Sequence, residues 1–239
     1  MLTLLVGSAT AERLTPSTTL QFRATLPTLS PGVACPPQAP PAAGCRARTG
    51  TGRIRGLGNV SSSYTWFYAV GDCPSPLVKP FATTGQIVVA NKGEIDFALA
   101  EGACVQEEPV RNEPQQFTIT GGTGIYQGAS GRGTVGRSLG GGLGSESWAG
   151  TLIVPGLDFD VTPPRIAGAV RKTVQASTGA KRVRVTYRVT ARDAVDGVVA
   201  VRCAPRSRSL FKRGRTAVRC RSTDKSANSA SARFVITVH

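Results

Sequence analysis

The residues of this sequence that could do chemistry are six cysteines, a set of aspartates in the last third and a dense run of arginines. The cysteines are Cys35, Cys45, Cys73, Cys104, Cys203 and Cys220. None forms a C-x-x-C pair and none has a histidine near it, so thiolate metal sites and thioredoxin-type exchange lack their spacing. The one histidine is His239, which removes Ser-His-Asp triads, Cys-His pairs and His-ligated zinc. An even, scattered set reads as disulfides. Pairing neighbours within each half selects Cys35–Cys45, Cys73–Cys104 and Cys203–Cys220 from the 15 connectivities that six cysteines allow. Such a framework belongs to an oxidising compartment.

Carboxylates offer less. Glu94 and Asp96 share a face two residues apart, but the alternation of Glu94-Ile95-Asp96-Phe97-Ala98-Leu99 makes that the solvated side of a half-buried strand. Asp160, Asp193, Asp196, Asp224 and Asn228 fall at expected strand ends, where oxygen ligands for calcium could collect. Asp196-Gly197 is equally an ordinary turn dipeptide. Spacing alone does not bring these groups together, so no metal, cofactor or catalytic residue is assigned.

The basic residues are distributed unevenly. The chain of 239 residues carries a formal charge of +15, of which the part before Pro155 holds +2 and the part from Pro155 onward +13. The basic set comprises Arg182, Arg184, Arg188, Arg202, Arg206, Arg208, Lys212, Arg213, Arg215, Arg219 and Arg221. If their strands are neighbours, they form one broad cationic face suited to phosphate, sulfate or carboxylate polymers. Nucleic acid lacks its usual support, because no aromatic interleaves with the arginines and no recognition helix is evident.

The elements that must position these groups are strands. The chain has 28 Gly and 16 Pro with few long helix-forming stretches, and no apolar run reaches the roughly 20 residues of a membrane-spanning helix. In the first half, short β-rich segments lie at Leu20 to Leu26, Ser63 to Val70, Gly85 to Ala90, Glu94 to Ala100, Phe117 to Thr120 and Ser147 to Val154. Asn91-Lys92-Gly93 joins two of them as a hairpin. Pro36, Pro37, Pro40 and Pro41 stiffen the loop that Cys35–Cys45 would close. Leu139-Gly140-Gly141-Gly142-Leu143-Gly144 reads as a hairpin tip.

In the second half, Arg182 to Val189 reads as one strand with Val183, Val185, Tyr187 and Val189 inward. Further inward sets are Val199, Val201 and Cys203, then Thr216, Val218 and Cys220, then Phe234, Ile236 and Val238. Cys203 and Cys220 thus face inward on two arms of a hairpin. A bond closing their 16 intervening residues is worth about 3 kcal/mol by loop entropy.

Two stretches carry resemblances. Phe117-Thr118-Ile119-Thr120-Gly121-Gly122-Thr123-Gly124-Ile125-Tyr126-Gln127-Gly128-Ala129-Ser130-Gly131 reads as a strand, a glycine turn, a short strand with one aromatic, and a second glycine turn. It resembles the glycine-rich signature of allene oxide cyclase and dirigent barrels, which implies an eight-stranded calycin-like β-barrel over 12–155 and transfers no activity. Asp160-Val161-Thr162-Pro163-Pro164, Ala191-Arg192-Asp193-Ala194-Val195-Asp196-Gly197, Val201-Arg202-Cys203-Ala204-Pro205-Arg206-Ser207, Phe211, Gly214, Thr216, Val218, Cys220, Asp224, Asn228 and Phe234-Val235-Ile236-Thr237-Val238 resemble a hyalin repeat (HYR) domain. That implies an immunoglobulin-like β-sandwich over 156–239, from a family of extracellular modules associated with adhesion. The chain departs from the family in having small residues near Ala167 and Ala232 where a second cysteine pair is frequent. It also has Arg208 where Gly is usual and Lys212 where Pro is usual.

Met1 to Ala11 is apolar, then small, and Ala9-Thr10-Ala11 fits a signal-peptidase site, so 1–11 reads as the remnant of a secretory signal without its basic leader. The expectation is therefore a secreted or cell-surface all-β protein that acts without catalysis, its HYR module contacting extracellular or cell-wall polymer or protein. The rival expectations are a barrel that binds or isomerises a small apolar ligand with the HYR domain as its tether, and an HYR domain that binds anionic polymer through its arginine-rich face.

Overall fold

Alternation of apolar and polar residues builds the first half into strands whose apolar positions share one side. The computed structural model describes residues 19–106, 110–111, 114–140 and 143–239; the expected signal remnant and the tip residues Gly141 and Gly142 lie outside the described residues. The first-half strands are β1 (Thr19–Leu29), β2 (Gly44–Ile54), β3 (Gly58–Val70), β4 (Leu77–Pro80), β5 (Thr83–Val89) and β6 (Gly93–Leu99). They continue with β7 (Val105–Gln106), β8 (Val110–Arg111), β9 (Gln115–Gly122), β10 (Ser130–Gly140) and β11 (Leu143–Ile153). Eight of them close an antiparallel barrel in the order β2-β1-β11-β10-β9-β6-β5-β3, with β3 returning to β2. Closure removes the free edges that an open sheet would present.

Ile95, Phe97 and Leu99 point into this barrel and are buried. Glu94 and Asp96 point out, where the Gln86 side-chain amide donates to both. The interior is filled by aliphatic side chains around a cluster of aromatic rings, with Trp148 edge-on to Phe97 at 5.0 Å and tilted against Phe117 at 5.2 Å. Strands β2 and β10 lack the alternation that marks the others, because glycine and arginine, not apolar residues, occupy many of their inward positions. At Gly133 the reason is steric: a Cβ there would stand 2.2 Å from the Ala149 carbonyl oxygen and 2.6 Å from the Phe117 ring.

The glycine-rich motif corrects one expectation. Gly124–Tyr126 is a turn of 3-10 helix, not a short strand. Gly124 has φ +59 and lies so close to the Asn91-Lys92-Gly93 turn that a Cβ would meet the Lys92 carbonyl oxygen at 2.3 Å. Extended backbone would carry the chain past that turn, whereas the helical turn folds Tyr126 back into the barrel core.

The remaining strands are β12 (Arg165–Ala167), β13 (Lys172–Val174), β14 (Arg182–Arg184), β15 (Thr190–Asp193) and β16 (Gly197–Val199). After them come β17 (Val201–Ala204), β18 (Leu210–Lys212), β19 (Gly214–Thr223) and β20 (Ser229–Val238). They form three sheets, β12-β15-β16, β13-β20-β19-β17 and β14-β18, around a core of Val185, Phe211, Val218, Cys220, Phe234, Ile236 and Val238.

Two expectations change here. The stretch from Arg182 to Val189 keeps its alternation, but its ladder ends at Arg184: Val185 bonds to the Ser209 carbonyl and the Arg208 N–H, and beyond it Ser207 Oγ takes up both the N–H and the carbonyl of Tyr187. The segment between Cys203 and Cys220 is no simple hairpin, since β18 leaves to pair with β14. The two cysteines nonetheless stand directly opposite each other on β17 and β19. All three disulfides are present: Cys35–Cys45, Cys73–Cys104 and Cys203–Cys220.

Barrel and smaller sheets meet at the β2–β3 turn. Arg55 donates from Nε to Asn228 Oδ1 at 3.0 Å and from Nη2 to the Val161 carbonyl at 2.5 Å. The Gly56 N–H donates to the Ser226 carbonyl at 2.6 Å.

Candidate functional site

The arginines occupy outward positions, as alternation requires, and every member of the basic set is exposed. They do not form a single face. Arg182, Arg184 and Lys212 lie on the β14–β18 pair, with Arg182 directly opposite Lys212. Arg202, Arg219 and Arg221 lie on β17 and β19 of another sheet. Both sheets turn their apolar sides to one core, so their outward arginines face different ways. Arg184 Nη1 donates to the Arg208 carbonyl, and Arg213 donates to the carbonyls of Ala180 and Ser177, which ties these two side chains to the surface of the fold. Arg215 is exposed on β19.

One concentration stands out. A surface hollow at the edge strand β17 is lined by Arg188, Arg202, Arg206, Arg219, Arg221 and Arg233, together with Tyr187, Val201 and the Cys203–Cys220 pair, and by no carboxylate. Strand register sets Arg202 opposite Arg221 and Arg219 opposite Arg233. Among the described residues, none of the six forms an ion pair with a carboxylate. Arg233 was missed in the sequence, although its outward place between the core-facing Ala232 and Phe234 side of β20 was readable from alternation.

The aspartates divide. One carboxylate oxygen from each of Asp160, Asp193 and Asp224 lies within 4.8 Å of the others. Each aspartate is held by local backbone: Asp160 Oδ1 accepts from the Thr162 N–H, Asp193 Oδ1 from the N–H groups of Val195 and Asp196, and Asp224 Oδ1 from that of Asn228. Asp160 Oδ2 and Asp193 Oδ2 are buried without a hydrogen-bond partner. Burial, followed by the neighbouring carboxylates, holds Asp160 and Asp224 above the usual carboxylate range. Asp196 stands apart, accepting from the Lys225 N–H and pairing with its Nζ at 3.6 Å. Asn228 buttresses the cluster, donating from Nδ2 to Asp224 Oδ2 and to the Asp160 carbonyl.

A third group, unforeseen in the sequence, lies inside the barrel. Glu146, 0% exposed, accepts from the Tyr64 hydroxyl and, at 3.1 Å, from Trp148 Nε1. Arg137 lies 3.6 Å from Glu146, donates to Tyr64 at 2.8 Å and to Gln115 Oε1 at 2.7 Å. Arg48, 1% exposed, has no hydrogen-bond partner on any of its three side-chain nitrogens, and its guanidinium lies over the Trp66 ring at 4.6 Å. Burial lowers its pKa to about 10. Among the described residues, the barrel interior thus holds two cations against one carboxylate.

No curated protein and no solved structure matches the chain. Residues 159–238, the segment that carries the arginine hollow and the three converging aspartates, match the family model of the HYR domain.

Proposed function

We propose that this is an exported, non-catalytic interaction protein in which an HYR module over 156–239 engages an anionic polymer outside the cell, with the barrel over 12–155 as its companion domain. The observation that carries this reading is the hollow on β17, β19 and β20, whose lining includes six exposed arginines and no carboxylate. Guanidinium groups at this density suit the repeated phosphate, sulfate or carboxylate of a polymer. Export is supported by three disulfides and by the HYR match, a family typical of extracellular adhesion. No helix among the described residues is long and apolar enough to cross a membrane.

The test is retention of the full-length protein on immobilised polyphosphate, a sulfated glycosaminoglycan and polygalacturonate across a salt series. Release of bound counterions makes such binding fall steeply as salt rises. Retention that ignores salt, or no retention on any of the three, would contradict the proposal.

A second reading is favoured by Arg48. A buried guanidinium with no partner is a costly feature that a ligand's acidic head would relieve. The barrel would then take a small apolar ligand bearing a carboxylate, held by Arg48 and oriented by Tyr64 and Arg137. Loss of ligand binding in Arg48→Met, with the barrel still folded, tests it.

A further inference from the structure

The three aspartates that converge beside the barrel come from different parts of the chain: Asp160 precedes β12, Asp193 ends β15 and Asp224 follows β19. Three carboxylates this close, in partly buried surroundings, repel one another and raise the cost of the fold unless something positive enters. The cationic side chains of the two turns that adjoin the cluster are committed elsewhere. Arg55 donates to the Asn228 amide oxygen and the Val161 carbonyl, and Lys225 pairs with Asp196.

The decisive feature is Asp193. It is 4% exposed, its Oδ1 is taken by two backbone N–H groups, and its Oδ2 has no partner at all. A buried carboxylate oxygen left unpaired costs the full desolvation of that atom unless it has a ligand. Asp160 is also anchored, with Oδ1 fixed by the Thr162 N–H and the Ser226 hydroxyl beside its carboxylate. In Asp193 the hydrogen-bonded oxygen anchors the carboxylate and the other is left free.

We propose that Asp160, Asp193 and Asp224 form a binding site for a divalent cation of the calcium type. The donor set is all oxygen, without sulfur or imidazole, which selects a hard cation. Calcium accepts irregular carboxylate geometry and completes its shell with carbonyls and water, whereas magnesium demands a stricter octahedron. The location gives the ion a structural role. Ser226 and Asn228, in the turn that follows Asp224, are the residues on which the β2–β3 turn of the barrel docks through Gly56 and Arg55. An ion on Asp224 and Asp160 would therefore stiffen the seam between the barrel and the smaller sheets.

The test uses the full-length, disulfide-bonded protein freed of metal by chelator. Calorimetric titration with CaCl2 should show one saturable event per chain, in the roughly 10⁻⁵ to 10⁻³ M range of sensor and extracellular sites, with MgCl2 weaker. Saturating calcium should raise the melting midpoint by about 5 °C. Asp193→Asn keeps an acceptor for the Val195 and Asp196 N–H groups and removes one clustered charge. It should therefore lose both calcium responses while melting no lower than the parent in chelator. Should that variant fail to fold, Asp160→Asn gives the same comparison from another loop. No saturable heat and no shift in the parent, or the same shift in parent and folded variant, would overturn the proposal.

Discussion

Arg202 and Arg221 stand directly opposite each other on adjacent antiparallel strands, and two residues along, Arg219 stands opposite Arg233. Like charges in such cross-strand positions destabilise a sheet by a few tenths of a kcal/mol to about 1 kcal/mol, more at low ionic strength. Converting one member, Arg202→Glu, creates an opposite-charge pair with Arg221. We expect the variant to be more stable than the parent by roughly 0.5 kcal/mol in low-salt denaturant melts, with the gain shrinking as salt is added. A variant that is less stable at low salt would show that the register does not bring these side chains into contact.

Arg208 bears the same cost in its backbone. It has φ +69, in the left-handed region, at the place where the resemblance to HYR domains leads one to expect glycine. A side chain there costs about 1 kcal/mol relative to glycine. Arg208→Gly should therefore raise unfolding free energy by about that amount while removing one positive charge. Chemical denaturation is the direct measurement, and a loss of stability would mean that the guanidinium makes compensating contacts.

Inside the barrel, the two arginines predict opposite outcomes. Arg137 is matched by Glu146 and Gln115, so Glu146→Gln strands a buried charge and should cost about 3–5 kcal/mol. Arg48 has only the Trp66 face, and Arg48→Met should be neutral or stabilising by about 1–2 kcal/mol. Unfolding curves of the two variants decide it; a large loss in Arg48→Met would indicate a buried anion already held there.

The buried phenols set an alkaline limit. Burial pushes the Tyr126 hydroxyl up to about 12 and raises that of Tyr64 further. A phenol raised on folding contributes stability that is whole below its ordinary pKa near 10 and is lost as pH rises through the folded value. Absorbance titration at 295 nm should show fewer than four tyrosines ionising near pH 11 while the protein remains folded, with the remainder ionising together with unfolding. Four independent titrations near pH 10 would contradict the burial of these two rings.

How much of this was legible in the sequence depends on which side chains fill the barrel. Strands β1, β3, β5, β6, β9 and β11 were readable because their inward residues are apolar. Strands β2 and β10 were not, because Arg48 and Gly50 on one, and Gly131, Gly133 and Arg137 on the other, are inward residues that look like loop or surface. The disulfides followed from neighbourhood alone. The aspartates were recognised as strand-end residues, but no local pattern tells Asp193, which turns into the cluster, from Asp196 three residues later, which turns to Lys225. Their meeting is a consequence of loop packing between segments more than 30 residues apart. Five of the six arginines that line the hollow belong to the basic set read from alternation and Arg233 does not, while the division of that set between two sheets depends on β18 pairing with β14.

Binding of polymer at the six-arginine hollow can be read in a single comparison. The full-length protein and a variant carrying Arg202→Glu, Arg206→Glu, Arg219→Glu and Arg221→Glu would be eluted from immobilised polyphosphate by a salt gradient, after circular dichroism shows that both are folded. Salt-sensitive retention of the parent and flow-through of the variant at the lowest salt are expected. Equal retention of the two would contradict it.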